Sequence, residues 1–152
     1  MFNRREFDKQ AHRMYGQATR FEHPVTFVMA NIDFFKQIND QFSHAVGDEV
    51  LRALAGIFRA NTHEIDVVGR YSGEEFVIAF PETQVEEAGG LAERPRVAIK
   101  EHAWTDIHPE LSVTISMGLS ADVGLGSFEK VLEAADRELY RAKKAGRDRV
   151  CY

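Results

Sequence analysis

The fold of this 152-residue chain is decided by one stretch, Asp66-Val-Val-Gly-Arg-Tyr-Ser-Gly-Glu-Glu-Phe-Val-Ile-Ala-Phe80. It contains two short runs of β-prone residues, from Asp66 to Tyr71 and from Phe76 to Phe80. The four residues between them, Ser72-Gly73-Glu74-Glu75, include a Ser-Gly pair that suits a tight turn, so the stretch predicts a β-hairpin. Two neighbouring carboxylates are expected at its tip.

Upstream of the hairpin, the sequence pattern predicts two helices and a strand. Apolar residues recur at i, i+4, i+7 and i+11 from Phe7, which predicts an amphipathic helix over about residues 3–20. β-branched and apolar residues from Val25 to Ala30 predict a buried strand. The polar segment from Asn31 to Asp48 is expected to be a loop, and a second helix follows it to about Asn61.

Downstream of the hairpin, the predicted elements are a helix over about residues 83–103 that Pro95 should kink or break, a strand from Leu111 to Leu119, a helix over 128–145 and a short strand from Arg149 to Tyr152. This order of elements predicts one domain over residues 1–152, of the α/β class. We expect an α+β sandwich whose central, mostly antiparallel sheet is flanked by helices.

The composition excludes several classes of protein. A formal charge of -5 and a pI near 5.7 argue against a nucleic-acid-binding surface, which requires a basic face. A single cysteine, Cys151, excludes an internal disulfide and suits a reducing compartment. No apolar run approaches the roughly 20 residues that cross a bilayer. We therefore expect a cytoplasmic domain that contacts neither nucleic acid nor membrane.

Polar residues end the predicted strand at Asn31-Ile32-Asp33, and two carboxylates lie at the hairpin tip. If the two segments are neighbours in one sheet, their oxygen atoms converge at one edge, as ligands of Mg²⁺ beside substrate phosphates do. Two metal ions there could activate a hydroxyl and neutralise charge at phosphorus. Acidic residues at strand ends and turns are more often solvated surface, so the residue pattern alone leaves both interpretations open.

Four segments carry a family resemblance, and they are Asn31-Ile-Asp-Phe-Phe-Lys-Gln-Ile-Asn-Asp40, Ser43-His-Ala-Val-Gly-Asp48, Arg70-Tyr-Ser-Gly-Glu-Glu-Phe76 and Leu139-Tyr-Arg-Ala-Lys-Lys-Ala-Gly-Arg147. In order and spacing they resemble the GGDEF family of diguanylate cyclases. The resemblance implies a palm-like nucleotidyl cyclase fold and a homodimer that condenses two GTP molecules into cyclic di-GMP. Phe2-Asn3-Arg4-Arg5 resembles the end of the family's N-terminal motif, which implies truncation from a longer protein with an upstream sensor or regulatory domain.

The resemblance also implies a role for individual residues. Glu74 and Glu75 are the implied catalytic residues and metal ligands, and Asn31 and the Ile32 carbonyl complete the ligand set for Mg²⁺, or alternatively Mn²⁺. The residues implied to bind GTP are Asn39 and Asp48 at the guanine, His44 near the nucleotide, and the Phe34, Phe35 and Lys36 backbone with Lys143 and Arg147 at the phosphates.

These roles agree with the chemistry of the side chains. Guanine presents two neighbouring N–H donors, so the Asp48 carboxylate can accept from both, and this predicts a preference for GTP over ATP. Lys143 and Arg147 are four residues apart on a predicted helix, so both should face one anion. Taken alone, Asn39 and Asp48 would also suit helix caps, and the basic pair would also suit a solvated helix end.

The chain departs from the family pattern at three places. Asn31 stands where the family normally has a metal-ligating Asp; its amide oxygen can bind Mg²⁺ but brings no negative charge. Ser72 replaces the first glycine of the signature, a mild change in a tight turn. The family's inhibitory Arg-x-x-Asp motif is His63-Glu-Ile-Asp66 here, so Asp66 remains while the arginine is missing, and the implied inhibitory site is degenerate.

The leading hypothesis is therefore a Mg²⁺-dependent diguanylate cyclase that acts as a dimer and is weakened by Asn31. The main alternative is a catalytically degenerate domain of the same fold that binds GTP or relays a signal. A cyclase that acts within one nucleotide is a third possibility.

Overall fold

A computed structural model describes all residues from Met1 to Tyr152. The strands are β1 (Phe2–Asn3), β2 (Val25–Ile32), β3 (Val67–Ser72), β4 (Glu75–Pro81), β5 (Ile115–Ser120) and β6 (Val150–Cys151). The helices are α1 (Arg4–Phe21), α2 (Phe35–Gln41), α3 (His44–Ala60), α4 (Val85–Glu101) and α5 (Phe128–Lys144). Two short 3₁₀ turns cover Trp104–Asp106 and Val123–Leu125.

The six strands form one sheet in the order β1-β3-β4-β2-β5-β6. The four inner strands pair antiparallel, and the two short edge strands pair parallel with β3 and β5. The predicted fold class, a mostly antiparallel sheet flanked by helices, is thus confirmed. The hairpin is also confirmed, with β3 and β4 joined through Gly73 and Glu74.

Helices cover both faces of the sheet, and side-chain alternation decides which core each strand residue enters. From β2, Val28, Ala30 and Ile32 point into the core beneath α2, α3 and α4. Phe27 and Met29 point into a second core beneath α1 and α5. Every residue of β2 is buried, which explains why this central strand is apolar apart from Thr26 and Asn31 instead of alternating with polar residues.

The segment between Asn31 and Asp48 contains helices where a loop was predicted. Phe35 and Ile38 are buried on one face of α2, so this short helix is held by packing and not by its propensity. The next helix begins at His44, because the Ser43 side chain accepts the Val46 N–H at 3.1 Å and caps it.

Two further element boundaries differ from the prediction. Helix α4 continues through Pro95, which is itself buried with the apolar face of that helix, so packing outweighs the one backbone hydrogen bond that the proline removes. Strand β5 begins at Ile115 and not at Leu111, because its partner β2 ends opposite it at Ile32. None of the helices has both the length and the apolar character needed to cross a bilayer.

Substitution of Gly118 tests how closely α5 packs on the sheet. A Cβ at this position would overlap the Leu139 amide nitrogen and the Ala135 carbonyl oxygen, which are backbone atoms that cannot rotate away. We expect Gly118→Ala to lower the free energy of unfolding by at least about 2 kcal/mol. Chemical denaturation measures the loss.

Gly56→Ala is the matched control, because Gly56 lies in α3 with open space around it. It should be neutral or stabilise the protein by up to about 1 kcal/mol. Equal stability of the Gly118 variant and the control would contradict the close contact between α5 and β5.

Candidate functional site

The end of β2 and the hairpin tip are neighbours in the sheet. Asn31 lies opposite Glu75 in the antiparallel register, and the Ile32 N–H donates to the Glu74 carbonyl oxygen at 3.1 Å. Asn31 is buried, whereas both glutamates are half-buried. The structure thus brings these four residues together at one edge of the sheet.

The hairpin turn is held by a side chain that the sequence did not single out. Arg70 donates from Nε to the carbonyl oxygens of Ser72 at 3.3 Å and Gly73 at 3.0 Å. These carbonyls precede Glu74 directly, and the ladder is irregular between Arg70 and Ser72. The arginine therefore holds the turn from which Glu74 projects, because one side chain binds two successive carbonyl oxygens of that turn.

The donor set at this edge fits Mg²⁺ or Mn²⁺. It consists only of oxygen atoms, from two carboxylates, the Asn31 amide and the Ile32 backbone, and hard divalent cations prefer such ligands. No group of three His, Cys, Asp or Glu side chains is arranged to hold a metal ion by itself. The residues suit a cation that keeps several waters and shares phosphate oxygens, and not an enclosed all-protein site.

The alternation of side chains along β4 also decides on which face of the sheet Glu75 lies. Glu75 follows the parity of Val77, so its side chain lies on the α1 and α5 face together with that of Asn31. There Glu75 lines a cavity of about 390 Å³, whose other lining residues include Arg4, Tyr71, Glu133 and Asp136. The Tyr71 hydroxyl donates to Asp8; burial, together with this carboxylate, raises the pKa of Tyr71 well above its usual value.

Asp33 lies close to this edge but is not available as a metal ligand. It is buried, and its carboxylate accepts hydrogen bonds from Thr114 Oγ1 at 2.7 Å, Ser116 Oγ at 2.7 Å and the Asp148 N–H at 3.0 Å. The expectation that Asn31, Ile32 and Asp33 offer oxygens at one edge is therefore wrong for Asp33. The protein's own donors engage both of its oxygens.

Asn39, His44 and Asp48 lie at the corner where α2 meets α3. Gly47 is buried against Asn39, and a Cβ at position 47 would overlap Asn39 Oδ1. Neither Asn39 nor Asp48 caps a helix, since Phe34 and Ser43 occupy the N-cap positions. The helix-cap interpretation of these two residues is therefore wrong.

Asp48 also links this corner to the hairpin. Its side chain lines a cavity of about 290 Å³ together with Met1, Leu51, Arg70 and Phe76. Arg70 lies on β3 and Phe76 on β4, so this cavity lies between α3 and the two strands of the hairpin. Phe76 enters the core beneath α3, so this cavity lies on the opposite face of the sheet from the Glu75 side chain.

Basic and backbone groups meet at Phe34, which has φ of +56° and precedes α2. The first amides of a helix have no partner within it, so those of Phe35 and Lys36 are free to bind an anion. The Arg147 guanidinium carbon lies 4.5 Å from the centre of the Phe34 ring. The structure thus places Arg147 beside the backbone predicted to bind phosphate.

The predicted helical pairing of Lys143 with Arg147 is wrong. Helix α5 ends at Lys144, and Gly146, with φ of +118°, reverses the chain. The Arg147 N–H donates to the Ala142 carbonyl at 2.9 Å. This hydrogen bond is typical of a Schellman motif, in which a left-handed residue, here Gly146, ends the helix. Lys143 lies in the last helical turn and Arg147 lies beyond it, so the two do not share a helix face.

The segment of the degenerate inhibitory motif forms a closed turn before β3. The Asp66 carboxylate accepts the His63 N–H at 2.8 Å, and the Asp66 N–H donates to the His63 carbonyl at 3.0 Å. A neighbouring backbone group therefore already engages the one acidic residue that the motif retains.

Asp148, which directly follows Arg147, has a carboxyl pKa that its surroundings perturb. Burial acts to raise the pKa of its carboxyl, but hydrogen bonds and charges from Lys100 and Arg96 outweigh burial and lower the pKa below the usual value. Arg96 Nη1 lies 2.6 Å and Lys100 Nζ 2.8 Å from the carboxylate oxygens. Because the folded-state pKa is depressed, the ionised carboxylate stabilises the fold.

We expect Asp148→Asn to lower the free energy of unfolding at pH 7 by about 1–2 kcal/mol. A depressed folded-state pKa contributes stability above the ordinary carboxyl pKa of 3.8, and this contribution is lost as the pH falls through the lower folded-state value. The difference between the parent and the variant should therefore shrink below about pH 4. Urea denaturation from pH 2 to pH 7 measures it, and a pH-independent difference would contradict the assignment.

Comparison with known proteins places these features in one family. A family profile described as "Diguanylate cyclase, GGDEF domain" matches residues 1–149. The response regulator PleD of Caulobacter vibrioides is 42% identical over 153 aligned residues, which cover 99% of this chain and 34% of PleD. The chain thus spans about a third of the length of this relative.

Solved structures agree with the sequence relatives. The active GGEEF domain of a diguanylate cyclase from Vibrio cholerae superposes with a TM-score of 0.92 at 35% identity, covering 99% of this chain and 96% of that one. The GGDEF domain of DgcB from Caulobacter crescentus, solved in complex with c-di-GMP, gives a TM-score of 0.88 at 29% identity, covering 98% and 89%.

Proposed function

We propose that this chain, which belongs to the GGDEF family of diguanylate cyclase domains, condenses two molecules of GTP into cyclic di-GMP. The proposal rests most on the pairing of β2 with β4, which sets Asn31 beside Glu75 and Ile32 against Glu74. Oxygen donors from a strand end and a turn are thereby available at the edge where the GTP phosphates would lie.

In this proposal, Glu74, Glu75, Asn31 and the Ile32 carbonyl would hold Mg²⁺, or Mn²⁺ in its place. Bound there, the cation would neutralise phosphate charge and make a nearby hydroxyl more acidic. Glu74, on the turn, would accept the proton of the attacking 3′-hydroxyl. Arg70 would support this step because it holds the carbonyls that precede Glu74.

The α2–α3 corner would bind the base. Asp48 would accept both N–H donors on the Watson–Crick edge of guanine, while Asn39 would contact the base beside it and His44 would lie near the nucleotide. Adenine presents no matching pair of donors and would leave the carboxylate unpaired, which would favour GTP over ATP. The half-buried position of Asn39 against Gly47 supports its role in orienting the base.

The phosphates would lie between α2 and the end of α5. The backbone amides of Phe34, Phe35 and Lys36 would donate to phosphate oxygens, and Lys143 and Arg147 would balance their charge. Neither Lys143 nor Arg147 forms an ion pair within the chain. The contact of Arg147 with the Phe34 ring supports this role.

The reaction would require two copies of the domain. Each copy has one hairpin and would bind one GTP, whose 3′-oxygen attacks the α-phosphorus of the other GTP. Each attack forms one P–O bond, breaks the bond to the β-phosphate and releases pyrophosphate, so two attacks close the ring. We therefore propose a homodimer. We further propose that an upstream sensor domain controls it, since the chain spans about a third of the relative PleD, and that this acidic domain is cytoplasmic and contacts neither nucleic acid nor membrane.

A catalytically degenerate domain that binds GTP or relays a signal is the second candidate, and Asn31 is the residue that favours it. The site offers two carboxylates where an aspartate at position 31 would provide a third. Weaker attraction for the cation follows from the missing charge. A third candidate, a cyclase that acts within one nucleotide, would release cyclic GMP. The mass of the product therefore distinguishes it from both other candidates.

We expect Asn31→Asp to raise the rate of cyclic di-GMP formation at least about tenfold, because the added carboxylate supplies charge to the cation site. Incubation with GTP and Mg²⁺ or Mn²⁺, followed by chromatography and mass detection, measures the product. Asn3→Asp is the matched control, since it adds the same charge at the N-cap of α1, where aspartate caps as well as asparagine.

Equal, vigorous activity of the parent and the Asn31 variant would refute the weakening by Asn31. Bound GTP without product in either protein would favour the degenerate domain.

We expect no submicromolar cyclic di-GMP site at the degenerate inhibitory motif, because the arginine of that motif is missing and Asp66 is engaged by the His63 amide. Calorimetry should detect no tight binding that Asp66→Ala removes. His63→Arg restores the motif and should strengthen cyclic di-GMP binding by about tenfold, the value of a charge-assisted contact. Submicromolar binding to the parent that disappears in Asp66→Ala would show the prediction to be wrong.

A further inference from the structure

Behind the phosphate-binding side of the proposed site, a chain of polar contacts runs inward from the surface of α4. Arg96 on this helix is held by Glu93, with Nε to Oε1 at 2.7 Å and Nη2 to Oε2 at 2.8 Å. The Arg96 side chain is only 15% exposed, and its Nη1 reaches the Asp148 carboxylate at 2.6 Å and the Asp148 carbonyl at 3.3 Å. Lys100, one turn further along α4, binds the second carboxylate oxygen.

The chain of contacts continues from Asp148 into the protein. The Asp148 N–H donates to Asp33 Oδ2, and Asp33 is fixed in turn by the hydroxyl groups of Thr114 and Ser116. Asp33 directly precedes Phe34, and Asp148 directly follows Arg147. The Arg147 guanidinium lies against the Phe34 ring, and the same contacts thus anchor both residues through the residues next to them in sequence.

The turn that carries Arg147 has a backbone that requires such anchoring. Gly146, Arg147 and Asp148 have φ of +118°, +65° and +46° in succession. Side chains with a Cβ rarely adopt this left-handed region unless the surroundings hold them there. Contacts to Asp148 from α4 and from Asp33 hold the second half of the turn, while the cap of α5 holds the first half.

We propose that Asp148, clamped between Arg96 and Asp33, is a positioning residue that keeps the Arg147 guanidinium against Phe34 and facing the GTP phosphates. This inference rests on the proposed function, because it assigns Arg147 to phosphate binding. Asp148 does not itself touch the nucleotide. Its loss should therefore affect contacts to phosphate and leave contacts to the base unchanged.

The first test needs no nucleotide. Arg96→Gln and Asp148→Asn each remove part of the clamp. The turn can still form in both variants, because Arg96 lies outside it on α4 and asparagine at position 148 tolerates left-handed backbone. Hydrogen exchange measured by mass spectrometry should show amides over residues 146–149 exchanging about tenfold faster in both variants. Arg141→Gln, which removes an exposed arginine paired with Glu138, is the control and should leave this segment unchanged.

The second test measures whether Asp148 acts through Arg147. Calorimetry gives the affinity for GTP and for guanosine, with Ca²⁺ in place of Mg²⁺ to slow turnover. Asp148→Asn should weaken GTP binding by roughly threefold to tenfold and leave guanosine binding unchanged. In an Arg147→Ala background, Asp148→Asn should cause no further loss, because the positioned group is already absent.

The outcomes separate the two proposals. Unchanged exchange over 146–149 in both clamp variants, equal losses for GTP and guanosine, or additive losses in the double variant would each overturn the positioning role. If the parent did not bind GTP but amide exchange over 146–149 increased in both clamp variants as expected, the proposed function would be overturned. The structural role of Asp148 in holding the turn would still be supported.

Discussion

The register of β2 against β4 is the constraint on which the rest of the molecule depends. Asn31 lies opposite Glu75, and side chains alternate along both strands. A slip of one residue would move Val28, Ala30 and Ile32 out of the core beneath α2, α3 and α4. It would turn the residues of the other face of β2 into that core instead. Because the apolar residues on both faces specify the register so strongly, the positions of the polar residues at the strand ends follow from core packing.

Asp33 extends that constraint beyond the sheet. A buried carboxylate is costly unless it is fully hydrogen-bonded, and here three donors satisfy it. Those donors come from the segment before β5, from β5 itself and from the turn after α5. One carboxylate thus joins three parts of the chain that are more than 80 residues apart in sequence from it. The loop that begins α2 is placed by the same contacts.

The carboxylates near the site have two different roles, which their charge alone does not reveal. Asp33 and Asp148 are used to hold backbone in place, whereas Glu74 and Glu75 make no hydrogen bond or ion pair through their side chains within the chain. Asn31 lowers the negative charge at the edge that these glutamates share. The proposed activity therefore depends on two carboxylates whose geometry is supplied by Arg70 and by the pairing with β2.

Local patterns in the sequence were sufficient for much of this protein. The β-prone runs around Ser72-Gly73 predicted the hairpin, and apolar periodicity predicted α1 and α5 to within about one residue at each end. Motif order and spacing identified the family and the candidate residues. The hairpin and helix signals each lie within a few turns of chain, where side-chain type and backbone preference act directly.

Tertiary contacts decided what those patterns could not. Helix α2 forms because Phe35 and Ile38 find a core to enter, and α4 survives Pro95 because its face is buried. Arg147 reaches Phe34 through a left-handed turn and not along a helix face. Asp33 was grouped with the metal-side residues, since nothing near it in sequence shows that its donors come from residues 114, 116 and 148. Burial and long-range hydrogen bonds arise only when distant segments meet. The sequence therefore determined the family and most of the elements, and the folded structure determined α2 and which polar groups remain free.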